Sequence, residues 1–362
     1  MPTDLPAPPA MPVLPGFVQR LAHGIHVIDT GFHRALFDAS YLLIEDGRAA
    51  FVDAGTNHSA PRLLAALEAA GLAPGAVDYV IATHVHLDHA GGVGLLMQQL
   101  PGARLVVHPH GAPHLIDPAR LMAGARAVYG DAEVARSYGD VIGVPAERVL
   151  ATSDGMVLRL AGRPLKFIDT PGHARHHHCI WDERSRGFFT GDTFGLSYRE
   201  FDTEQVNAGP PQVDLIPSGG GRREASALGH NMMAWLLPTT TPVQFEQEPL
   251  RNSVQRMLAH EPQCMYLTHY GRVGDSAAEV RRLAALLLQQ LDAMVALAQS
   301  LPDDADRHNA LVRGFGSIYR SSLREHGCTL DAAQIDELLS LDCELNAQGM
   351  AVWLDRRKRS KL

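Results

Sequence analysis

Six consecutive residues, His84-Val85-His86-Leu87-Asp88-His89, put three imidazoles and a carboxylate where a protein core would put hydrocarbon. Neutral imidazole nitrogens and carboxylate oxygens are the ligands that hold zinc, iron or manganese. The run just before them, Tyr79-Val80-Ile81-Ala82, is short, apolar and rich in β-branched residues, as a buried strand should be. Gly91-Gly92 just after them frees the backbone to turn sharply into a helix. The cluster therefore falls on a strand-to-helix loop, where a rigid scaffold holds ligands at an open site. A solvated histidine-rich loop would explain this stretch alone, but three later segments complete a set.

Those segments repeat one design. Asp169-Thr170-Pro171-Gly172-His173 runs a strand into a turn that presents a histidine. Phe188-Phe189-Thr190-Gly191-Asp192 ends another strand on a carboxylate, and Tyr266-Leu267-Thr268-His269 ends a third on a histidine. Four strand ends thus offer seven candidate ligands: His84, His86, Asp88, His89, His173, Asp192 and His269.

The remaining composition is that of a soluble enzyme, with 46% hydrophobic and 20% charged residues in 362. A net charge of −8 argues against a dedicated nucleic-acid binder. Cys179, Cys264, Cys328 and Cys343 form no CxxC pair, which fits unpaired thiols in a reducing, cytoplasmic setting. The apolar stretches read as too short for a membrane span. Residues 1–20 read as an extended arm, with six prolines before Gly16. The final Ser360-Lys361-Leu362 matches a peroxisomal address but also reads as the end of a solvated basic tail.

Short strand-like runs alternate with helices over residues 21–274, which predicts a layered α/β domain. Expected strands include Ile25–Asp29, Tyr41–Glu45, Ala49–Asp53, Arg104–Val107, Pro164–Asp169 and His178–Asp182; helices are expected over Pro61–Ala70 and Gly94–Leu100. Residues 275–362 read as a helical C-terminal region, with helices over Arg307–Glu325, Asp331–Leu341 and Glu344–Arg357. These helices are expected to cover the mouth of the site or to form a homodimer interface.

The order HxHxDH, PGH, GD and a late TH resembles the metallo-β-lactamase fold superfamily over about residues 20–272. The resemblance implies an αββα sandwich with a dinuclear metal site at one edge of its two sheets. It implies that His84, His86 and His173 hold one ion, that Asp88, His89 and His269 hold the other, and that Asp192 bridges them. The expected cofactors are two divalent ions, zinc first, with iron or manganese also suited. The expected reaction is attack of a metal-bound hydroxide on a small acyl compound, a thioester or lactone, with Asp88 passing the proton to the leaving atom.

Motif content resembles that of glyoxalase II-like hydrolases, and the TPGHAxHH form of the third motif, Thr170 to His177, looks most like a microbial branch of the superfamily. A carboxylate at Asp192 disfavours antibiotic hydrolysis, and the late tyrosine, Tyr198, departs from the lactonase pattern. The alternative is an oxidoreductase of the persulfide dioxygenase type, with one iron on His84, His173 and Asp192. Candidate substrate contacts are Tyr198, aiming a hydroxyl at an oxyanion; Arg199, clamping a carboxylate together with Arg222 and Arg223; and His177 in the run Arg175-His176-His177-His178. That run reads as strand, so alternate histidines should face opposite ways. The stretch from Gly195 to Glu224 is expected to wall or lid the site.

Overall fold

A computed structural model describes residues 13–204, 232–240 and 243–359. Residues 1–12 of the expected arm, Arg222, Arg223 and Ser360-Lys361-Leu362 lie outside the described residues. Part of the arm is not loose, because Val18–Arg20 pairs antiparallel with the next strand.

The first sheet comprises β1 (Val18–Arg20), β2 (Ile25–Asp29), β3 (Ala39–Glu45), β4 (Arg48–Val52), β5 (Val77–Ala82), β6 (Arg104–Val107) and β7 (Val149–Ala151), in that order. It is antiparallel through β4 and parallel from β4 to β7. The second sheet contains β8 (Val157–Leu160), β9 (Arg163–Asp169), β10 (His178–Asp182) and β11 (Gly187–Gly191). After a short hairpin of β12 (Thr203–Glu204) and β13 (Met232–Met233), β14 (Cys264–Leu267) and β15 (Gly271–Val273) complete it. Its order is β15-β14-β11-β10-β9-β8.

The period-2 alternation of strand side chains sorts the apolar residues into three layers. Tyr41, Leu43, Val52 and Ile81 face Phe167, Ile180, Phe189 and Tyr266 between the sheets. Their neighbours Leu42, Phe51 and Val80 face the other way, onto α1 (Ala60–Ala69), α2 (Leu87–Ala90) and α3 (Val93–Gln99). Ile168, Cys179, Phe188 and Met265 do the same on the second sheet. They pack against helices that follow α4 (Ala112–Ile116), α5 (Ala119–Tyr129) and α6 (Asp131–Ser137): α7 (Gln247–Leu258), α8 (Ala277–Ser300), α9 (Arg307–His326) and α10 (Ala332–Arg359). Helix, sheet, sheet and helix thus form four layers, as expected.

Two expectations need correction. The two helices read over Asp331–Leu341 and Glu344–Arg357 are one continuous helix, α10. The polar residues that interrupt its apolar stripe, Asp342 and Asn346, are buried and bonded to other elements. The reading that apolar stretches fall short of membrane length fails for α8, which is long and apolar enough by length and composition to cross a bilayer. Its apolar face, including Leu283, Leu287, Leu291 and Met294, is buried in the core.

At the end of the sandwich away from the ligand motifs, Arg163 of β9 joins the sheets. It makes a two-pronged pair with Asp182 of β10, at 2.9 and 2.6 Å, and donates to the His23 carbonyl at 2.7 Å. Arg163 and Asp182 are both buried, and removing one partner of such a pair leaves an uncompensated charge. Arg163→Ala is therefore expected to cost about 3–5 kcal/mol of stability. Urea unfolding checks this, and a loss below about 1 kcal/mol would mean that the pair contributes little.

Candidate metal centre

All seven candidate ligands meet at one edge of the sandwich, just past β5, β9, β11 and β14. One group is His84, His86, His173 and Asp192; the other is Asp88, His89 and His269. In the first, His86 Nδ1 lies 2.8 Å from His84 Nε2 and 3.1 Å from His173 Nε2. In the second, His269 Nε2 lies 3.4 Å from Asp88 and His89 Nε2 lies 3.8 Å from it. Asp192 stands between: its Oδ2 is 3.4 Å from His173, and its Oδ1 is 3.2 Å from His89.

Outer hydrogen bonds decide which ring nitrogen points inward. Phe37 offers only a carbonyl at 2.8 Å, so His269 Nδ1 donates to it and Nε2 faces the site. Asp53 fixes His89 in the same way, with Oδ2 at 3.0 Å from Nδ1. The Thr239 hydroxyl gives its proton to the Asp192 carbonyl, at 3.2 Å, and so accepts from His173 Nδ1 at 2.8 Å. Thr83, donating to Asp53, accepts from His84 Nδ1 at 3.2 Å. Four imidazoles thus aim Nε2 at a common space. His89 Nε2 and Asp192 Oδ1 are buried there and face each other at 3.2 Å. Convergent imidazole nitrogens and carboxylate oxygens are the donor set of a divalent cation.

Asp53 is the main residue the sequence reading missed. Buried at the end of β4, it accepts from the Thr83 amide and hydroxyl, from His89 and from the Thr268 hydroxyl. Its carboxylate ties the ends of β5 and β14 together across the two sheets. An isolated aspartate after a strand carries no spacing signal that would have singled it out.

The electrostatics divide the centre in two. Burial, reinforced by neighbouring imidazoles, drives His84 well below its ordinary range and brings His86 down to about 3. Burial also lowers His173, to about 4 against the pull of Asp192. These rings are neutral at pH 7 and ready to ligate. Burial opposes charge at His269 too, but the hydrogen bond to Asp88 and the nearby Asp192 raise it to about 9. His89 is likewise raised, by Asp192, Asp88 and Asp53 against burial. Burial would lift Asp88, yet His89 and His269 hold it below the usual carboxylate range.

The expected substrate contacts fare differently. His177 is wholly buried; Arg175 and His176 form a turn and only His178 of the run lies in β10, so the expected strand alternation does not apply. It meets the Thr170 and Thr193 hydroxyls at 3.0 and 3.1 Å and accepts from the Asp192 amide at 3.3 Å, so it supports a ligand and meets no substrate. Gly191 makes room for that ring: a Cβ there would sit 2.6 Å from His177 Nε2, at a φ of +47°. Tyr198 is buried, stacks on Phe37 and gives its hydroxyl to Asp342 at 3.0 Å, which commits its proton to the scaffold. The Arg199 guanidinium is held within its own turn by Ser197 and Asp202. Arg34, which the sequence reading did not weigh, lies over the Tyr198 ring at 4.6 Å.

A family model for the metallo-beta-lactamase superfamily matches residues 33–269, and the chain belongs to that superfamily. Its fold implies divalent metals. Atrochrysone carboxyl ACP thioesterase of Aspergillus fumigatus is 28% identical over 179 residues, 49% of this chain and 42% of that protein. The metallo-beta-lactamase fold-containing protein ST1585 of Sulfurisphaera tokodaii is 30% identical over 142 residues, 38% of this chain and 51% of its own length. The chain thus spans about half or less of the length of these curated relatives. The crystal structure of ST1585 from Sulfolobus tokodaii matches 84% of this chain and 100% of its own with a TM-score of 0.54 at 22% identity. The metallo-beta-lactamase family protein TTHA1429 of Thermus thermophilus gives 0.54 at 21%, covering 84% and 94%. These structural likenesses establish the fold.

Two predictions follow the division of the centre. A metal in the second group must displace protons from His89 and His269, whereas the first group binds without that cost. Occupancy of the second group should therefore fall first as pH drops from about 8 to about 6, because protonation rises below the raised His269 value. Metal content after dialysis at each pH reads this, and parallel loss from both groups would contradict it. Asp53→Asn should weaken the second group's metal affinity about 10–100-fold, and the first group's less, because Asp53 touches His89 directly but reaches His84 only through Thr83, as read by chelator competition.

Proposed function

We propose that the protein is a metal-dependent hydrolase of a small acyl compound, a thioester or a lactone. The observation that carries this reading is the position of Asp192, with one oxygen toward each ligand group. Two divalent ions held there, zinc first among them, would supply an activated water and polarise the acyl carbonyl. His84, His86 and His173 would hold one ion, and Asp88, His89 and His269 the other, with Asp192 common to both. Asp88, whose side chain is 25% exposed, is the ligand carboxylate nearest solvent. Held deprotonated, it is placed to take the proton of the attacking water and return it to the leaving atom. His177 and Thr239 hold Asp192 at its backbone, so the bridging carboxylate does not drift when charge shifts around it.

The thioesterase name of a relative supports the thioester branch. A one-iron oxidoreductase would leave Asp88, His89 and His269 without a task, although Asp53 and the Phe37 carbonyl each orient one of those imidazoles. The proposal includes a small-molecule substrate, a cytoplasmic setting and no nucleic-acid or membrane partner. It assigns the surface of the C-terminal helices as the place for a homodimer contact.

The test combines elemental analysis with a screen of thioesters and lactones. About two ions per chain and turnover of either class are expected; one iron with oxygen-dependent turnover of a persulfide would overturn the reading. Asp192→Asn should lower turnover at least about 100-fold and release about half the metal, with unchanged circular dichroism.

A further inference from the structure

Helix α10 carries two buried polar residues one turn apart, Asp342 and Asn346, among the buried Leu339, Cys343, Ala347 and Met350. They are 7% and 3% exposed. Residues four apart on a helix share a face, and hydrocarbon at either place would avoid the cost of burying a polar group. Each of the two reaches past the helix toward a different half of the metal centre.

Asp342 leads to the second ligand group. Its Oδ1 accepts from the Tyr198 hydroxyl at 3.0 Å. The Tyr198 ring stacks on Phe37, with centroids 5.3 Å apart and planes 18° apart, and Phe37 meets His269 edge-on at 5.2 Å. The Phe37 carbonyl is the acceptor that turns His269 Nε2 toward the site. The backbone repeats the connection: Ser197, next to Tyr198, donates its amide to the His269 carbonyl and accepts from the Tyr270 amide at 3.3 Å. His269 is thus held at its ring and at its main chain by the segment that Asp342 anchors.

Asn346 leads to the first group. Pro238 offers only a carbonyl, so the side-chain nitrogen of Asn346 donates to it at 3.1 Å and the oxygen accepts from the Thr240 amide at 2.6 Å. The same nitrogen donates to the Tyr319 hydroxyl of α9 at 2.9 Å, so the amide is fixed from three sides. These bonds pin the residues on either side of Thr239, whose hydroxyl orients His173 and holds the Asp192 carbonyl.

We propose that Asp342 and Asn346 are positioning residues through which α10 braces both halves of the metal centre. Asp342 aims His269 through Tyr198 and Phe37; Asn346 aims His173 and Asp192 through Thr239. This rests on the reading that both groups hold metal. Neither residue belongs to a ligand group, so each acts only through the contacts it fixes. A ligand free to wander must lose that freedom when it binds an ion, which weakens binding. Slackening one arm therefore weakens one group more than the other, whereas general loosening of the fold would weaken both together.

Cobalt(II) loaded into chelator-stripped protein and withdrawn by graded chelator competition tests the brace. His269→Ala and His86→Ala, each deleting a ligand of one group, assign the two steps of release. Asp342→Leu is expected to weaken the second group at least about tenfold and the first less than about threefold. Asn346→Leu should show the opposite order. Asp342→Asn, which still accepts from Tyr198, should stay within about threefold of the unaltered protein. If Asp342→Leu does not fold, Tyr198→Phe removes the same hydrogen bond and keeps the ring; a loss of at least about threefold, confined to the second group, is then expected. Equal weakening of both groups, or none, would overturn the brace and leave the metal reading in place. If the unaltered protein takes up no cobalt, the brace and the metal reading fall together.

Discussion

The direction of an imidazole lone pair is set by what its other nitrogen touches, and the whole centre depends on that rule. A carbonyl, a carboxylate and two hydroxyls whose protons are already committed elsewhere fix His269, His89, His173 and His84. Each of these outer partners belongs to a different stretch of backbone. The sandwich is what brings them within reach of one another, and its four layers supply the rigidity that keeps four rings aimed at one space.

Asp53 shows how the two sheets become a single site. It gathers Thr83, His89 and Thr268 on one buried carboxylate, so the first sheet's β5 and the second sheet's β14 are held at a common depth. The charge pattern follows from the same placement. In the first group burial wins and the imidazoles are neutral, even His173 beside Asp192. His89 and His269 each have two or more carboxylates nearby and keep a proton because attraction wins. The two ligand groups therefore differ in acidity although they are built from the same residue types.

Much of this was legible in the sequence, for a definite reason. Strand-end motifs announce themselves because a polar ligand next to an apolar β run breaks the pattern a core requires, as at Ile81 to His86. The alternation at Phe188-Phe189 and Cys179-Ile180-Trp181 likewise carries the layering. What was not legible depends on tertiary partners. Asp342 and Asn346 look like interruptions of a helix until Tyr198 and Thr240 are seen to bond them. Tyr198 and His177 carry chemistry that would suit a substrate, and only their burial shows that they serve the scaffold. The short helices α4 to α6, broken by Gly111, Pro118 and Gly130, gave no sustained period to read.

Asn346 gives the architecture an order in time. Its side chain accepts from the Thr240 amide at 2.6 Å and donates to the Pro238 carbonyl at 3.1 Å, flanking Thr239 on both sides. Thr239 in turn holds His173 and the backbone of Asp192. Since α10 follows every ligand along the chain, a nascent polypeptide has synthesised all seven before the element that steadies two of them exists. The centre gains this support only when α10 docks, so its maturation is coupled to synthesis of that helix, and a protein made only as far as the ligands lacks one of the contacts that aim them.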